Sequence, residues 1–421
     1  MRVELAYGRR GTSVDVPDGA DVVVPLDEPG LDDEEGAITD ALRRPLGGPP
    51  LADLVAQAGQ VAVVFPDLTR PMPNRTVLPP LLAELARGGV EDDRIVLICA
   101  TGTHRQATVA EMSELIGVDI VTRYRVIDHD ATEDGAHVPV GAVDGTPVLL
   151  QREYVEADVR IVTGFVEPHF FAGFSGGPKA VCPGLAATAT ILEAHHPRRI
   201  ADVRATFVTR TGNPVHDFVR AATALAPPHL SLDVAINRGR QVTAVFAGPL
   251  PAAHDVACAH VRSSAVREVP ASFDLVVSTN GGHPLDRNLY QAVKGMAAAE
   301  RIVRPGGVIV MAAACEDGVP AGGGFARLLA DARSPADLAG ASGAPQLDRW
   351  QAQVLGRVLA RAEVHLHSAG LDAAAIADAL LIPAPDLDGA VTAALGRLGP
   401  DARVAVIPEG PLTVATVAGP E

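Results

Sequence analysis

The chain has 421 residues, of which 48% are hydrophobic and 20% charged, and its formal net charge is −16. This composition describes a globular chain with room for two or three cores and excludes a disordered one. The acidic balance repels nucleic acid and anionic membrane surfaces, so an anionic ligand would be small and met by locally placed Arg or Lys.

No leader-like segment and no charge-free apolar run of membrane-spanning length is visible. The four cysteines, Cys99, Cys182, Cys258 and Cys315, show no C-x-x-C spacing. The expectation is a reduced, cytoplasmic protein. Within the first sixty residues, VELAYG and DVVVPL read as strands and Asp32 to Glu35 as an acidic turn. From Val61 a pattern repeats: a β-branched run, a polar or Gly-rich loop, a helical stretch. The runs are VAVVF (61–65), IVLICA (95–100), VRIVTGF (159–165), LVVST (275–279), VIVMAAA (308–314) and VAVIP (404–408). Helical periodicity covers 78–87, 107–116, 289–302 and 350–362, while Gly322 to Gly324 reads as a turn. Continuous apolar strands alternating with helices predict an α/β fold with mainly parallel sheets flanked by helices. A Pro-bounded composition change at 248–272 suggests a hinge, dividing the chain into domains 1–262 and 263–421 with an active site in the cleft between them.

In parallel sheets ligands sit beyond the carboxyl ends of strands, so the loops there carry the chemistry. After Phe65 come Asp67 and Arg70, stiffened by Pro71 and Pro73. Such an Arg offers a planar fork to a carboxylate or phosphate, or simply pairs with the Asp. After Ala100 comes TGTHR, with His104 in a Gly-containing loop. After 159–165 comes FVEPHFFAGFSGGPKAVCP, which holds His169, the glycines 173, 176 and 177, and Lys179. A phosphate-loop motif is excluded, because Pro178 stands where its second Gly belongs and Ala180 where its hydroxyl belongs. His195 follows sixteen residues after the lysine. In the second half, STNGGHPLDRNLYQAVKG puts Tyr290 and Lys294 four apart on one helix face with Gln291 beside them, and Asp286 can cap that helix. Trp350, the only tryptophan, packs in a core or walls a pocket. Two candidate acid/base histidines, a metal-ligand candidate and cationic anchors suit proton or hydride movement on a small carboxylate. Two other readings stay open: a hydrolase or lyase with a divalent metal on His104, His169 and His195, and a binding protein without turnover.

Five segments together resemble the nickel-dependent lactate racemase family: DLTRP at 67–71, TGTHR at 101–105, PHFFAGFSGGPKAVCPG at 168–184, His195, and PLDRNLYQAVKGMAAAE at 284–300. The resemblance spans essentially the whole chain. It implies a racemase or epimerase of a 2-hydroxy acid that uses a nickel pincer nucleotide, a pyridinium mononucleotide holding Ni through a carbon and two sulfurs. Lys179 matches the covalent anchor and His195 the nickel ligand. His104 and His169 match the opposing acid and base of a hydride-transfer racemisation. Asp67, Gly176, Gly177 and Trp350 match the cofactor surroundings, and Arg70, Tyr290, Gln291 and Lys294 the substrate side. The implied partners are a small anionic 2-hydroxy acid and cofactor-synthesis or delivery proteins. The chain departs from the family pattern at Pro178 and Ala180, where GGRKS is expected, and at Ala194, where a polar residue is expected.

Overall fold

The computed structural model describes residues 1–320 and 324–418, so Gly322 and Gly323 of the expected turn lie outside the described residues. The β-branched runs form strands Val61–Pro66, Ile95–Ala100 and Val159–Phe165, buried along nearly their whole length. Full burial is what coverage of a sheet on both faces requires of such runs. They belong to a six-stranded sheet whose spatial order is 242–248, 230–236, 159–165, 61–66, 95–100, 125–128. All neighbours run parallel except 230–236 with 242–248. The chain winds outward from 61–66 through 95–100 to 125–128, then returns to build the other side from 159–165. Winding therefore reverses between 61–66 and 159–165. At such a switch the loops leaving the carboxyl ends part and open a crevice.

Leu230–Ile236 and Val242–Gly248 are strands that the apolar runs do not announce. In the first, buried Ser231 and Asp233 interrupt the hydrophobic pattern. The second sheet is wholly parallel, in the order 382–383, 362–367, 303–312, 273–279, 404–407, 21–22. Its last strand comes from the beginning of the chain. The hairpin of Arg2–Leu5 with Thr12–Asp15 joins the same side, packing Val3, Leu5 and Val14 with Leu275, Val277 and Val310. A division at 262/263 thus separates Asp21–Val22, and the hairpin packed beside them, in sequence from the sheet that they join in space. The run DVVVPL contributes only Asp21–Val22 as strand.

Helices Asn74–Arg87, Leu289–Glu300 and Arg349–Arg361 occupy stretches with helical periodicity. One set of buried side chains continues from Val64, Ile98 and Val162 through Phe171 and Phe207 to Met296 and Ile309, so the two sheets share packed material. Among the described residues no helix is long and apolar enough to cross a membrane.

Candidate active site

The crevice at the switch point receives side chains from three successive strand ends. Asp67 follows strand 61–66 and is buried. Its Oδ1 accepts from the Thr69 hydroxyl and its Oδ2 accepts from His104 Nδ1, both at 2.8 Å. Burial alone would raise this carboxyl's pKa, but the His104 ring, Arg70 and the Thr69 hydroxyl outweigh it and hold it below its ordinary value. A carboxylate at Nδ1 places the His104 proton there and leaves the lone pair on Nε2.

His169, beyond strand 159–165, is set the opposite way round. Its Nδ1 accepts from the backbone N–H of Ala172 at 3.2 Å and of Phe171 at 3.4 Å, so the neutral ring carries its proton on Nε2. Burial, with the Lys179, Lys294 and Arg70 charges nearby, pushes its pKa well below the usual value and keeps it neutral. The ring stacks on Phe170 and meets Phe171 edge-on.

Lys179 stands in the short turn Gly177–Ala180, whose second residue is Pro178, still within the first turn where a missing N–H leaves no bond unmade. Its Nζ lies 5.6 Å from the Phe171 ring centroid. Desolvation, then the Arg70 and Lys294 charges, push its pKa well below the ordinary lysine value. Lys294 reaches in from helix Leu289–Glu300, with Nζ 5.9 Å from the Phe170 ring. Burial and then Arg70 push its pKa down to about 7. Among the described residues Asp67–His104 is the single ion pair in the cavity wall, and Arg70, Lys179 and Lys294 have none. One guanidinium and two amines without an ion-pair partner among the described residues favour an anion there whenever the amines carry their protons.

His195 caps the carboxyl end of helix Thr188–Ala194. Its Nδ1–H donates to the Ile191 carbonyl at 2.8 Å, which fixes the ring and leaves Nε2 bare. Burial pushes its pKa down to about 4. Its ring lies 4.6 Å from Trp350 and meets Phe171 edge-on at 5.4 Å. Trp350 Nε1–H donates to the Tyr290 hydroxyl at 2.7 Å, tying helix Arg349–Arg361 to helix Leu289–Glu300. Ala194, where the family pattern has a polar residue, is fully buried.

Asp67, Arg70, His104, His169, Gly176, Lys179, His195, Tyr290, Gln291, Lys294 and Trp350 all line one cavity of about 120 Å³. Gly177 is the exception among the singled-out residues. Its N–H donates to Asp233 Oδ1, beneath the loop, at 3.0 Å. Thr101, Phe170, Phe171 and Gln351 also line the cavity, and sequence reasoning singled out none of them. Composition held a second signal. Of 35 basic residues only two are lysine, and they are Lys179 and Lys294. A buried amine can shed its proton where a guanidinium cannot, so a chain that uses Arg elsewhere has placed its only side-chain amines at this cavity. Among the described residues no three His, Cys, Asp or Glu side chains gather closely enough to hold a metal ion. A cation held jointly by His104, His169 and His195 therefore has no geometric support.

The family model for the lactate racemase N-terminal domain matches residues 7–207, and that for the lactate racemase C-terminal domain matches 267–415. The lactate racemase of Lactiplantibacillus plantarum is 37% identical over 388 residues, 90% of each chain. The chain belongs to the lactate racemase family. A second member, the lactate racemase of Thermoanaerobacterium thermosaccharolyticum, is 33% identical over 97% of both chains. The solved apoprotein of lactate racemase from that organism superposes with a TM-score of 0.92 at 32% identity, covering 100% of both chains. A Thermotoga maritima protein shares the fold with a TM-score of 0.70 at 16% identity, over 94% of this chain and 100% of its own. Family membership makes this chain an isomerase, and the cavity at the switch point is where its fold gathers reactive side chains.

Proposed function

We propose that this chain is a racemase or epimerase of a small 2-hydroxy acid of lactate's class, working with a lysine-tethered nickel pincer nucleotide. The observation that carries the reading is the meeting, in one cavity, of both lysines of the chain with Arg70, the Asp67–His104 pair, His169 and His195. The residues present suit such a group. Lys179 offers an amine driven toward its neutral, nucleophilic form. His195 offers nickel an unprotonated Nε2 on a ring already oriented from behind. Asp67, Gly176 and Trp350 border the same space. When bound, the group supplies an acceptor and donor of hydride.

The chain's own residues do the rest. Arg70 and Lys294 hold the substrate carboxylate, and among the described residues neither is engaged in an ion pair that would compete for it. His104 takes the hydroxyl proton at Nε2, and Asp67 stabilises the resulting imidazolium. His169, oriented by two backbone amides, presents Nε2–H from another wall. Two-point binding of the carboxylate keeps the planar 2-oxo acid oriented while hydrogen returns to either face. Tyr290 and Gln291 complete the substrate side, and the aromatic wall of Phe170, Phe171 and Trp350 excludes water. Loading requires cofactor-synthesis or delivery proteins as partners, and four buried free cysteines accord with a cytoplasmic setting.

The test is intact-mass analysis and chiral separation on protein matured with cofactor-synthesis enzymes. Wild type should carry an adduct and interconvert at least one pair of 2-hydroxy acid enantiomers from a panel. Lys179→Ala should do neither. Equal masses for the two proteins, or racemisation by Lys179→Ala, would refute the reading.

A further inference from the structure

The glycines around Lys179 are dictated from beneath the loop. A Cβ on Gly164 would collide with Asp233 Oδ1, and one on Gly176 would sit 2.8 Å from the same oxygen. A Cβ on Gly177 would sit 2.5 Å from the His254 ring. Gly176 and Gly177 also have φ of 73° and 50°. The loop is pulled tight onto two buried side chains, neither of which lines the cavity.

These side chains grip the backbone just ahead of the lysine. Asp233, fully buried on strand Leu230–Ile236, accepts from the Gly177 N–H at 3.0 Å and from the Ser231 hydroxyl at 2.7 Å. His254, on helix Leu250–Ala265, is kept neutral by burial, and its Nε2–H donates to the Ser175 carbonyl at 3.0 Å. Thr223, on helix Pro214–Ala224, donates its hydroxyl to the Pro178 carbonyl at 3.1 Å. Three separate elements thus clamp residues 175, 177 and 178. Among the described residues Lys179 itself has no ion-pair partner. Among the described residues its Nζ has no hydrogen-bond partner and only the Phe171 ring at 5.6 Å beside it, so its aim comes mainly from the backbone. A buried carboxylate is costly to keep, and Asp233 is kept where it fixes that backbone.

We infer that Asp233 and His254 are positioning residues that set where the Lys179 amine stands in the cavity, with Thr223 as a third clamp. The inference deepens the proposed function and rests on it for the role of that amine. The placement itself can be measured without any cofactor.

The assay is acetic anhydride labelling of the cofactor-free protein across a pH series, read by peptide mass. Only Lys179, Lys294 and the α-amine of Met1 present amines, so Lys294 is an internal control from the same cavity. In the wild type, Lys179 should label with a midpoint well below the ordinary lysine value of about 10.4. In Asp233→Ala the freed loop lets the amine reach water, and its midpoint should rise by about one pH unit or more while that of Lys294 stays. Asp233→Asn retains an oxygen for the Gly177 N–H and should restore the wild-type midpoint. Thr223→Val, a near-isosteric change, should shift Lys179 the same way by less, and it covers the case of Asp233→Ala failing to fold. An unmoved Lys179 midpoint in the folded variants would overturn the inference, as would equal movement at Lys294. A Lys179-specific shift upholds it, even should Lys179→Ala retain racemase activity and refute the proposed function.

Discussion

Replacing Asp67 by Asn tests the base assignment most directly. In the wild type a buried carboxylate lies 2.8 Å from His104 Nδ1. When the ring takes a proton at Nε2 it becomes a cation beside that anion. A full charge pair at about 4 Å is worth about 4 kcal/mol at an effective dielectric constant near 20. Asparagine keeps a polar atom at hydrogen-bond distance, so the net loss falls in the range of a charged hydrogen bond, about 2–3 kcal/mol. That corresponds to a fall of about 30- to 150-fold in kcat. Turning its amide to offer NH2 would put the His104 proton on the wrong nitrogen and deepen the loss. Racemisation should be followed by chiral separation and normalised to nickel content, so that loading and catalysis are separated. The same substitution has a stability signature. The Asp67 carboxyl titrates below its ordinary value of about 3.9 in the fold, so its contribution is fully present above about pH 4 and disappears as pH falls through the folded value. Asp67→Asn should flatten that acid limb in urea unfolding. Activity within threefold of wild type at neutral pH would refute the idea that His104 becomes charged in the reaction.

Lys294→Met should raise KM by about 10- to 100-fold with a smaller effect on kcat, because a carboxylate contact used in binding is lost. In the wild type the Lys294 amine titrates near pH 7, and only its charged form attracts the carboxylate. Substrate affinity should therefore decline as pH rises through about 7, and Lys294→Met should lose that dependence. His195→Ala should leave the fold and the Lys179 adduct in place but retain little nickel, as read by metal analysis of desalted protein. Gly177→Ala should destabilise the protein by about 1–3 kcal/mol in urea unfolding, since its Cβ meets the His254 ring at φ +50°.

The strands of both sheet centres were legible because a strand covered on both faces must be apolar throughout, and VAVVF, IVLICA and VIVMAAA are. Helices at 289–300 and 349–361 were legible from period alone. The motif residues were legible too, since strand ends in a parallel sheet are where side chains converge. Strand Leu230–Ile236 was hidden because Asp233 and Ser231 break its pattern. Their burial makes sense only once the Lys179 loop is seen lying on top of them. Gly177 carries a ligand-like signature in a glycine-rich loop, yet its partner is a carboxylate underneath.

Local chemistry is written in the chain, so the sequence alone determined the α/β class, the family motifs and, in its two lysines, where amines are placed. Long-range closure is not written in any one segment. Tertiary structure alone decided that Asp21–Val22 complete the second sheet, and that winding reverses between 61–66 and 159–165. It also decided that the two histidines hold opposite tautomers, because their Nδ1 partners are a carboxylate 37 residues away for one and local backbone amides for the other. Hydrogen-bond partners across the fold set which nitrogen carries a proton, and that depends on distance in space rather than order in sequence.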